Sequence, residues 1–364
     1  MKRYSHSYIL LIALFGFWSC AQDADSPHPE QGPEFMYPIS WSTPTVQGID
    51  TRALVNNNLL QDACTPVTDG THESIGVWGQ YTFNASNMSG AVVEFNATPL
   101  TFAPKTEDTN PYSDWNYPGD AVFWRSNATY DFRACYPQKL MTSLMTQMDA
   151  TVFQGGPINT SALQEDILVA ATQINTRTAD LTKPVPLDMR HIFAALKFKV
   201  KAVDGFTPSS GEGITSCWLQ NQDAATDLFS PSGYLVHSGN ELPMITWYPY
   251  ESSTAPMYMW KHEGVSFANE STLYTPNGGL EGDIYTNNDG WLLVVPQQVK
   301  AETLHFCYTL KNAGSQVFSV AIPAITYECS MQYTYVLEIR GSEVELRLTI
   351  APWNHLESSY DIIL

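Results

Sequence analysis

The strongest constraint on the fold is a strict two-residue alternation near the end of the chain. In residues 331–353 (MQYTYVLEIRGSEVELRLTIAPW) apolar side chains occupy every second position on both sides of a Gly341-Ser342 turn. Charged residues such as Glu343 and Glu345 fill the positions between them on the returning half. Because a period of two places neighbouring side chains on opposite faces of a strand, this segment predicts an antiparallel hairpin with one buried and one charged face.

Short strands of this kind recur along the chain and predict an all-β fold. SIGVWGQYTF (74–83), AVVEF (91–95) and WLLVVPQQ (291–298) are rich in β-branched and aromatic residues, and polar turn segments separate such stretches. Charged residues make up only 15% of the chain, which suits strands and turns better than solvated helices. A chain of 364 residues is long enough for two domains. We therefore expect two antiparallel β-sandwich domains in tandem, residues 35–183 and 184–364.

The first 20 residues are expected to be an export signal and not part of the fold. A basic start and an apolar run lead to Ser19-Cys20. A cysteine directly after a small residue at this point is typical of a lipoprotein cleavage site, which predicts lipidation of Cys20. The alternative is an ordinary secretory signal that contains a cysteine. Residues 21–34 are rich in Pro, Asp and Gln and predict a flexible tether.

The tether is followed by a predicted first strand, FMYPISWS (35–42). Apolar residues alternate in it with smaller or polar ones, and Pro38 has no N–H to give to a neighbouring strand. This strand therefore belongs at the edge of a sheet. Its apolar face would hold Phe35, Tyr37, Ile39 and Trp41.

Six stretches carry a family resemblance. They are TRA at 51–53, SIGVWGQY at 74–81, AVFWRSNATYDFRACYP at 121–137, DMRHIFAALKFKV at 188–200, LLVVPQQ at 292–298 and the hairpin at 331–353. In this order, behind a lipoprotein signal, they resemble the fimbrillin family of Bacteroidales, the pilins of the type V pilus and related surface lipoproteins. The resemblance implies two transthyretin-like β-sandwich domains, a lipid anchor in the cell outer membrane, and exposure on the cell surface or in a fimbrium. In pilin members a protease cuts after an arginine and removes the first strand, and the open groove accepts a strand from another subunit.

Arg52 is the candidate processing site. It stands in GIDTRALVNN (48–57), which has small or polar neighbours and no strong helix signal, as a trypsin-like protease requires. A cut between Arg52 and Ala53 would release the first strand and leave a backbone edge open to strand addition. The alternative is an ordinary surface arginine in a linker. Candidate donors are a terminal segment of a different fimbrial protein and the C-terminal tail of this chain, in which Tyr360, Ile362 and Leu364 alternate.

Charge and motif content exclude several function classes. The net charge of −19 repels phosphate backbones, so we expect no nucleic-acid partner. No phosphate loop, nucleophile elbow or dinucleotide motif occurs, and we expect no cofactor. His191 lies in an apolar strand, which is typical of a hydrogen-bonded core histidine, and the His262-Glu263 pair lacks the second histidine of a zinc helix. We therefore expect a protein that is not an enzyme.

Five cysteines follow Cys20 in the chain: Cys64, Cys135, Cys217, Cys307 and Cys329. No two have metal-ligand or redox spacing, and five cannot all pair. We expect mostly free, buried thiols, with a disulfide as the alternative.

Aromatic residues in loop-like or edge-like stretches leave a second function class open. They are Trp115, Tyr117, Trp247, Tyr248, Tyr250, Tyr258 and Trp260. Such rings either cover the ends of the sandwiches or form a platform that binds glycans or protein partners. In the second case the chain would be an outer-membrane surface lipoprotein that does not polymerise.

Overall fold

The computed structural model describes residues 37–46, 57–67, 72–84, 90–104, 113–140, 148–149, 152–154, 157–161, 164–209, 212–222, 228–238, 244–250, 252–273, 291–340, 343–352 and 360–363. Within these ranges the only helices are one α-helix, α1 (Asn57–Ala63), and one 3-10 turn (Gln138–Leu140). The all-β sandwich fold is confirmed.

The described strands, in chain order, are β1 (Thr45–Val46), β2 (Ile75–Phe83), β3 (Val92–Phe102), β4 (Trp115–Asn116), β5 (Ala128–Tyr136), β6 (Met148–Asp149), β7 (Val152–Gln154), β8 (Ile158–Asn159), β9 (Leu168–Asn175), β10 (Asp188–His191), β11 (Ala194–Ala202), β12 (Ile214–Asn221), β13 (Ser232–Ser238), β14 (Met244–Tyr250), β15 (Met257–Val265), β16 (Ser271–Thr272), β17 (Leu292–Val294), β18 (Gln298–Val299), β19 (Leu304–Leu310), β20 (Val317–Ala321), β21 (Ile325–Thr326), β22 (Met331–Arg340), β23 (Glu343–Pro352) and β24 (Tyr360–Ile363).

A seven-stranded sheet dominates the first half of the chain. Its strand order is β1-β10-β9-β5-β2-β3-β4, antiparallel except for the pair of β1 with β10. The interior strand β2 is buried on both faces: Val77 belongs to the core of this half, and Trp78 belongs to a second cluster on the other side. A strand that is covered on both faces needs apolar residues at successive positions, which explains the continuous run IGVW in its sequence.

The second half contains the predicted hairpin, which is confirmed. β22 and β23 pair antiparallel with Tyr333 opposite Ile350 and Leu337 opposite Leu346. They belong to a six-stranded sheet of order β16-β11-β22-β23-β24, with β17 also paired to β11. A four-stranded sheet of order β15-β12-β19-β20 packs against it, and the ring of Phe198 in β11 stacks on a ring of the facing sheet. This arrangement is a sandwich with one shared apolar core.

One long pairing in this sandwich is parallel. Strands β11 and β22 run side by side over eight residue pairs, from Ala195 with Gln332 to Ala202 with Ile339. A parallel pair needs a crossover connection, and the chain between these two strands supplies the whole facing sheet. The alternation of side chains is the same in parallel and antiparallel strands, so the sequence pattern predicted the strands but not this direction.

The two halves meet at a third apolar cluster. It combines Trp78 and Cys135 from the first sheet with Leu235, Trp247 and Leu293 from later in the chain. Beside it, β7 and β8 pair with β13, so strands from before and after residue 183 share one small sheet. The other two clusters do not overlap along the chain: the first draws on residues 39–189 and the second on residues 194–348. The division into domains at residues 183 and 184 stays a prediction.

All five cysteines of the described residues are free thiols, as expected. Burial raises the pKa of Cys64, Cys135 and Cys329 to about 12 and that of Cys307 to about 11, and it raises the pKa of Cys217 well above 9.0. Since the thiolate is the reactive form, burial makes these cysteines inert at neutral pH.

We predict that a Cys20→Ser chain will not react with an aromatic disulfide reagent at pH 8 while it is folded. At that pH on the order of one in a thousand, or fewer, of the thiols of Cys64, Cys135, Cys307 and Cys329 would be ionised. Burial disfavours the thiolate of Cys217 in the same way. The control is the same variant in concentrated urea. There the reagent should release five equivalents of aromatic thiol per chain, one for each free cysteine. Rapid reaction of any native thiol at pH 8 would contradict the burial described here.

Candidate functional site

The candidate site is the groove that holds the start of the described chain. Residues 37–46, called the N-terminal segment from here on, lie between residues 122–124 on one side and residues 185–188 on the other. The N–H of Ile39 donates to the carbonyl of Val122 at 2.7 Å, and the contact is antiparallel. On the other side the N–H of Val185 donates to the carbonyl of Ser40 at 2.7 Å, and this contact is parallel.

The segment continues as β1 along the edge of the seven-stranded sheet. The N–H of Thr45 donates to the carbonyl of Leu187 at 2.9 Å, and its hydroxyl lies 2.5 Å from the carboxylate of Asp188. β1 therefore takes an edge position in the large sheet. The stretch around Pro38, which the sequence predicted to lie at an edge, instead fills a gap between two other chain segments and has a backbone neighbour on either side.

The predicted apolar face of this strand is only partly buried. Ile39 and Trp41 are 2% and 1% exposed, whereas Tyr37 is 56% exposed and points away from the core. Phe35 lies outside the described residues. Burial in the groove is thus concentrated on two side chains that are two residues apart.

Trp41 is the centre of the buried contact. Its ring meets Phe95 of β3 edge to face, with centroids 5.4 Å apart, and Phe132 of β5 in the same way at 5.3 Å. Gly79 of β2 stands between these two residues in the sheet, opposite both in register. A Cβ atom on Gly79 would come within 2.8 Å of Phe132 and 2.9 Å of Phe95. Because Gly79 has no side chain, the two phenylalanine rings can come together and form the pocket that holds the indole of Trp41.

Sequence analysis missed this pocket, although one signal was present. A glycine inside a buried strand marks a place where another group approaches the backbone closely, and Gly79 lies within IGVWGQYTF. The partners Phe95 and Phe132 lie on strands that are distant in sequence from Trp41. No local pattern connects them.

Two side chains hold the backbone of the N-terminal segment. The hydroxyl of Ser113 donates to the carbonyl of Trp41 at 2.5 Å, and the hydroxyl of Tyr117 donates to the carbonyl of Ile39 at 3.2 Å. The same Tyr117 oxygen accepts the N–H of Val122 at 3.0 Å, and burial raises the pKa of this phenol. Tyr117 thus fastens the segment to its antiparallel neighbour.

The predicted processing site, Arg52 and Ala53, lies outside the described residues, and so does the lipidation site Cys20. The described chain on either side of residues 47–56 is tied together, because the N–H of Val46 donates to Oδ1 of Asn57 at 2.6 Å. Asn57 is the first residue of α1. The candidate cut therefore falls between two ends that are held close to each other.

The predicted donor tail is an edge strand of its own chain. β24 pairs antiparallel with β23, with Ile362 opposite Leu348 and Tyr360 opposite Ile350. Leu364 lies outside the described residues. The structure does not bring the tail and the N-terminal segment together, since they belong to different sheets.

The other residues singled out in the sequence fall into two groups. His191 is 1% exposed, and its Nδ1 lies 2.9 Å from the carboxylate of the equally buried Asp166, as expected for a core histidine. Trp115 and Tyr258 are buried, so these rings cover the sandwich core, whereas Tyr248 and Tyr250 remain exposed. Nothing is described of the side chains of Trp260, His262 and Glu263.

Among the residues that the structure describes, no group of three or more His, Cys, Asp and Glu side chains could hold a metal ion. No helix in those ranges is long and apolar enough to cross a membrane.

We predict that Trp41→Ala will lower the free energy of unfolding by about 3–5 kcal/mol, because it removes a large ring from a closed pocket. Tyr37→Ala is the matched control on the same strand and should change it by less than about 0.5 kcal/mol, since that ring is exposed. Urea unfolding followed by circular dichroism measures both variants. Equal unfolding midpoints for the two variants would show that the indole does not hold the groove closed.

This chain is similar to one family of known proteins and to several solved structures. The family model described as fimbrillin-like matches residues 51–353. A fimbrial protein from Bacteroides vulgatus has a similar structure, with a TM-score of 0.53 and 12% identity over 87% of this chain and 99% of that one. A candidate cell adhesion protein from Bacteroides uniformis gives a TM-score of 0.48 and 15% identity over 88% of this chain and 99% of that one.

A third solved structure, the tip fimbrial protein Mfa3 from Porphyromonas gingivalis with a C-terminal truncation, gives a TM-score of 0.36. Its identity is 12%, over 78% of this chain and 95% of that one. No curated protein sequence matches the chain. Since the family model covers most of the sequence, this chain belongs to the fimbrillin-like family.

Proposed function

We propose that this chain is a structural or adhesive subunit of a cell-surface fimbria, exported as a lipoprotein precursor and assembled by strand exchange after proteolysis. The observation that carries the proposal is the N-terminal segment, which fills a gap between two backbone edges and seats Trp41 in a closed aromatic pocket. Membership of the fimbrillin-like family and the likeness to a solved fimbrial protein support it. The role is structural, without catalysis or a cofactor.

Before processing, the precursor is anchored through lipid on Cys20, with residues 21–34 as the tether. A lipoprotein cysteine carries more than one acyl chain, and two chains give stable anchoring where one is marginal. In this proposal the protein faces outward from the cell outer membrane. Cleavage after Arg52 then severs the anchor and the N-terminal segment from the rest of the chain.

Cleavage alone does not open the groove. After a cut between Arg52 and Ala53, the segment keeps its backbone hydrogen bonds and the burial of Ile39, Trp41 and Val46. Each of these side chains contributes roughly 1.5–3 kcal/mol by burial. The released peptide must therefore also dissociate, or an incoming strand must displace it.

The groove selects the strand that replaces the segment. The donor must run antiparallel to residues 122–124 and parallel to residues 185–188, as the segment does. It must place an aliphatic side chain at the position of Ile39 and a large ring two residues later. The buried Nε1 of Trp41 has no hydrogen-bond partner among the described residues. Since an unpaired buried donor costs about 1–3 kcal/mol, a donor with a wholly apolar ring there would avoid that cost.

Two candidate donors remain: a terminal segment of a different fimbrial protein, and the tail of a second copy, with Tyr360, Ile362 and Leu364 at alternate positions. The tail has the required alternation, but its ring at Tyr360 precedes the aliphatic residues, which reverses the order of Ile39 and Trp41, so the groove favours the segment of a different protein. The tail pairs with β23 of its own chain, so it must detach before it can serve another subunit. Removal of residues 1–52 takes away five acids and three bases and changes the net charge only from −19 to −17. Assembly would therefore be driven by completion of the groove and not by charge.

We predict that an arginine-specific protease will cut the purified full chain after Arg52 and that the cut protein will form ladders on unboiled gels. Arg52→Ala should stay intact at this position and monomeric. Arg177→Ala, at an exposed arginine elsewhere in the chain, is the matched control and should behave as wild type. Trp41→Ala should form ladders faster after cutting, because its N-terminal segment dissociates more readily.

Two outcomes would contradict the proposal. If wild type is cut after Arg52 and stays monomeric, with or without a synthetic peptide of residues 354–364, the chain is not a polymerising subunit. The second test identifies the N-terminal residue of the protein found on the cell surface. Lipid-modified Cys20 marks the precursor and free Ala53 marks the mature subunit, so a surface population that starts at neither residue would refute both the anchor and the processing site.

A further inference from the structure

A second candidate site lies in the other half of the molecule, where the end of β14 meets the chain that enters β18. It is an open cleft of about 710 Å³, within the range of roughly 300–1,000 Å³ that is usual for small-ligand pockets. Its walls include Trp247 and Tyr250, and its polar lining includes Ser252, Gln298 and Lys300. It is separate from the groove of the N-terminal segment, with which it shares no residue.

One wall of the cleft is rigid. The indole N–H of Trp247 donates to the carbonyl of Ile192 at 2.8 Å, and its ring stacks on Phe193 with centroids 5.6 Å apart. Gly233 lies beneath this ring, and a Cβ atom there would come within 3.0 Å of Trp247 and 2.8 Å of Val295. The aromatic wall is therefore fixed before any ligand arrives.

The floor of the cleft is fixed by a hydrogen-bonded pair. Gln297 accepts the N–H of Ser230 at 2.8 Å, and its amide donates to the carbonyl of Ser230 at 2.7 Å. The hydroxyl of Ser230 in turn donates to the carbonyl of Tyr250 at 2.5 Å. These bonds connect the floor to the strand that carries the exposed tyrosines, so the cleft keeps its shape without a ligand.

Tyr250 gives the cleft an accessible aromatic surface. Its side chain is 40% exposed, and Tyr234 supports it edge to face with centroids 5.0 Å apart. Tyr248, two residues earlier on the same strand, is 55% exposed. Two exposed tyrosines beside a preformed cleft give a ligand an aromatic surface to contact.

The same strand is unsuited to strand addition. In the described residues β14 pairs only with β13 and forms an edge of its sheet. Pro249 has no N–H to offer to an incoming strand, and proline on an edge strand prevents such pairing. The exposed tyrosines are therefore not a second acceptor groove for a fimbrial strand.

The chemistry of the lining favours a sugar. Tyr250 can stack on the apolar face of a pyranose ring, while Ser252 and the amide of Gln298 match its hydroxyl groups. Among the described residues that line the cleft, Lys300 carries a charge, and it is positive in a chain whose net charge is −19. We propose that this cleft binds a short saccharide, with Tyr250 as the stacking platform and Lys300 facing any acidic substituent. This binding site does not depend on polymerisation, and its test can fail independently of the fimbrial assembly test.

The experiment is binding of the labelled full chain to an array of immobilised neutral and acidic oligosaccharides. We expect retention on a subset of them, and Tyr250→Ala should weaken it roughly tenfold or more, since a lost stacking and burial contribution of about 1.4 kcal/mol is a factor of ten. Lys300→Gln should weaken binding to acidic saccharides and spare neutral ones. Tyr37→Ala, an exposed tyrosine that does not line the cleft, is the control and should bind as wild type.

The urea-unfolding midpoint of each variant shows whether it folds. If Tyr250→Ala does not fold, Gln298→Ala takes its place, since Gln298 is exposed and lines the same cleft. No retention of any oligosaccharide by the wild-type chain would overturn the proposal. Retention that survives the cleft substitutions unchanged would place the sugar elsewhere and overturn it equally.

Discussion

The contact of Trp41 with Phe95 and Phe132 over Gly79 is the interaction on which this structure depends. It joins the start of the described chain to β3 and β5, two interior strands of the seven-stranded sheet. Because Gly79 leaves room for the rings and the rings leave room for the indole, four residues from four places in the sequence form one pocket. Another extended segment with side chains of the same shape could fill this pocket.

The backbone around this pocket has the same property. The N-terminal segment pairs antiparallel with residues 122–124 and parallel with residues 185–188, so its departure would leave two unpaired edges and not one. An edge with unpaired donors and acceptors is a template for another strand, and apolar pockets at alternate positions supply the selectivity. In our proposal the processing site controls when this template becomes available, and the aromatic pocket controls which strand can use it. Pro249 prevents strand addition at the edge beside Tyr250, so the cleft there is available to a different ligand.

Strands and their buried faces could be predicted from the sequence, whereas contacts between residues far apart in the chain could not. Alternation of apolar and polar residues sufficed to predict the β22–β23 hairpin and the burial of Ile39 and Trp41, because successive side chains of a strand point to opposite faces. It could not show that Tyr37 points outward, since exposure depends on where the neighbouring segments end. The parallel pairing of β11 with β22 and the meeting of Trp247 with Phe193 depend on long connections, for which side-chain alternation holds no information.

Amide hydrogen exchange at two positions tests the central claim most directly. The N–H groups of Trp124 and Val185 donate to the carbonyls of Tyr37 and Ser40, so both should exchange slowly in the intact chain. After cleavage behind Arg52 and removal of the released peptide, both should exchange quickly, and a bound donor strand should slow them again. Rapid exchange in the intact chain, or unchanged protection after the peptide is removed, would show that the N-terminal segment does not occupy a replaceable strand position.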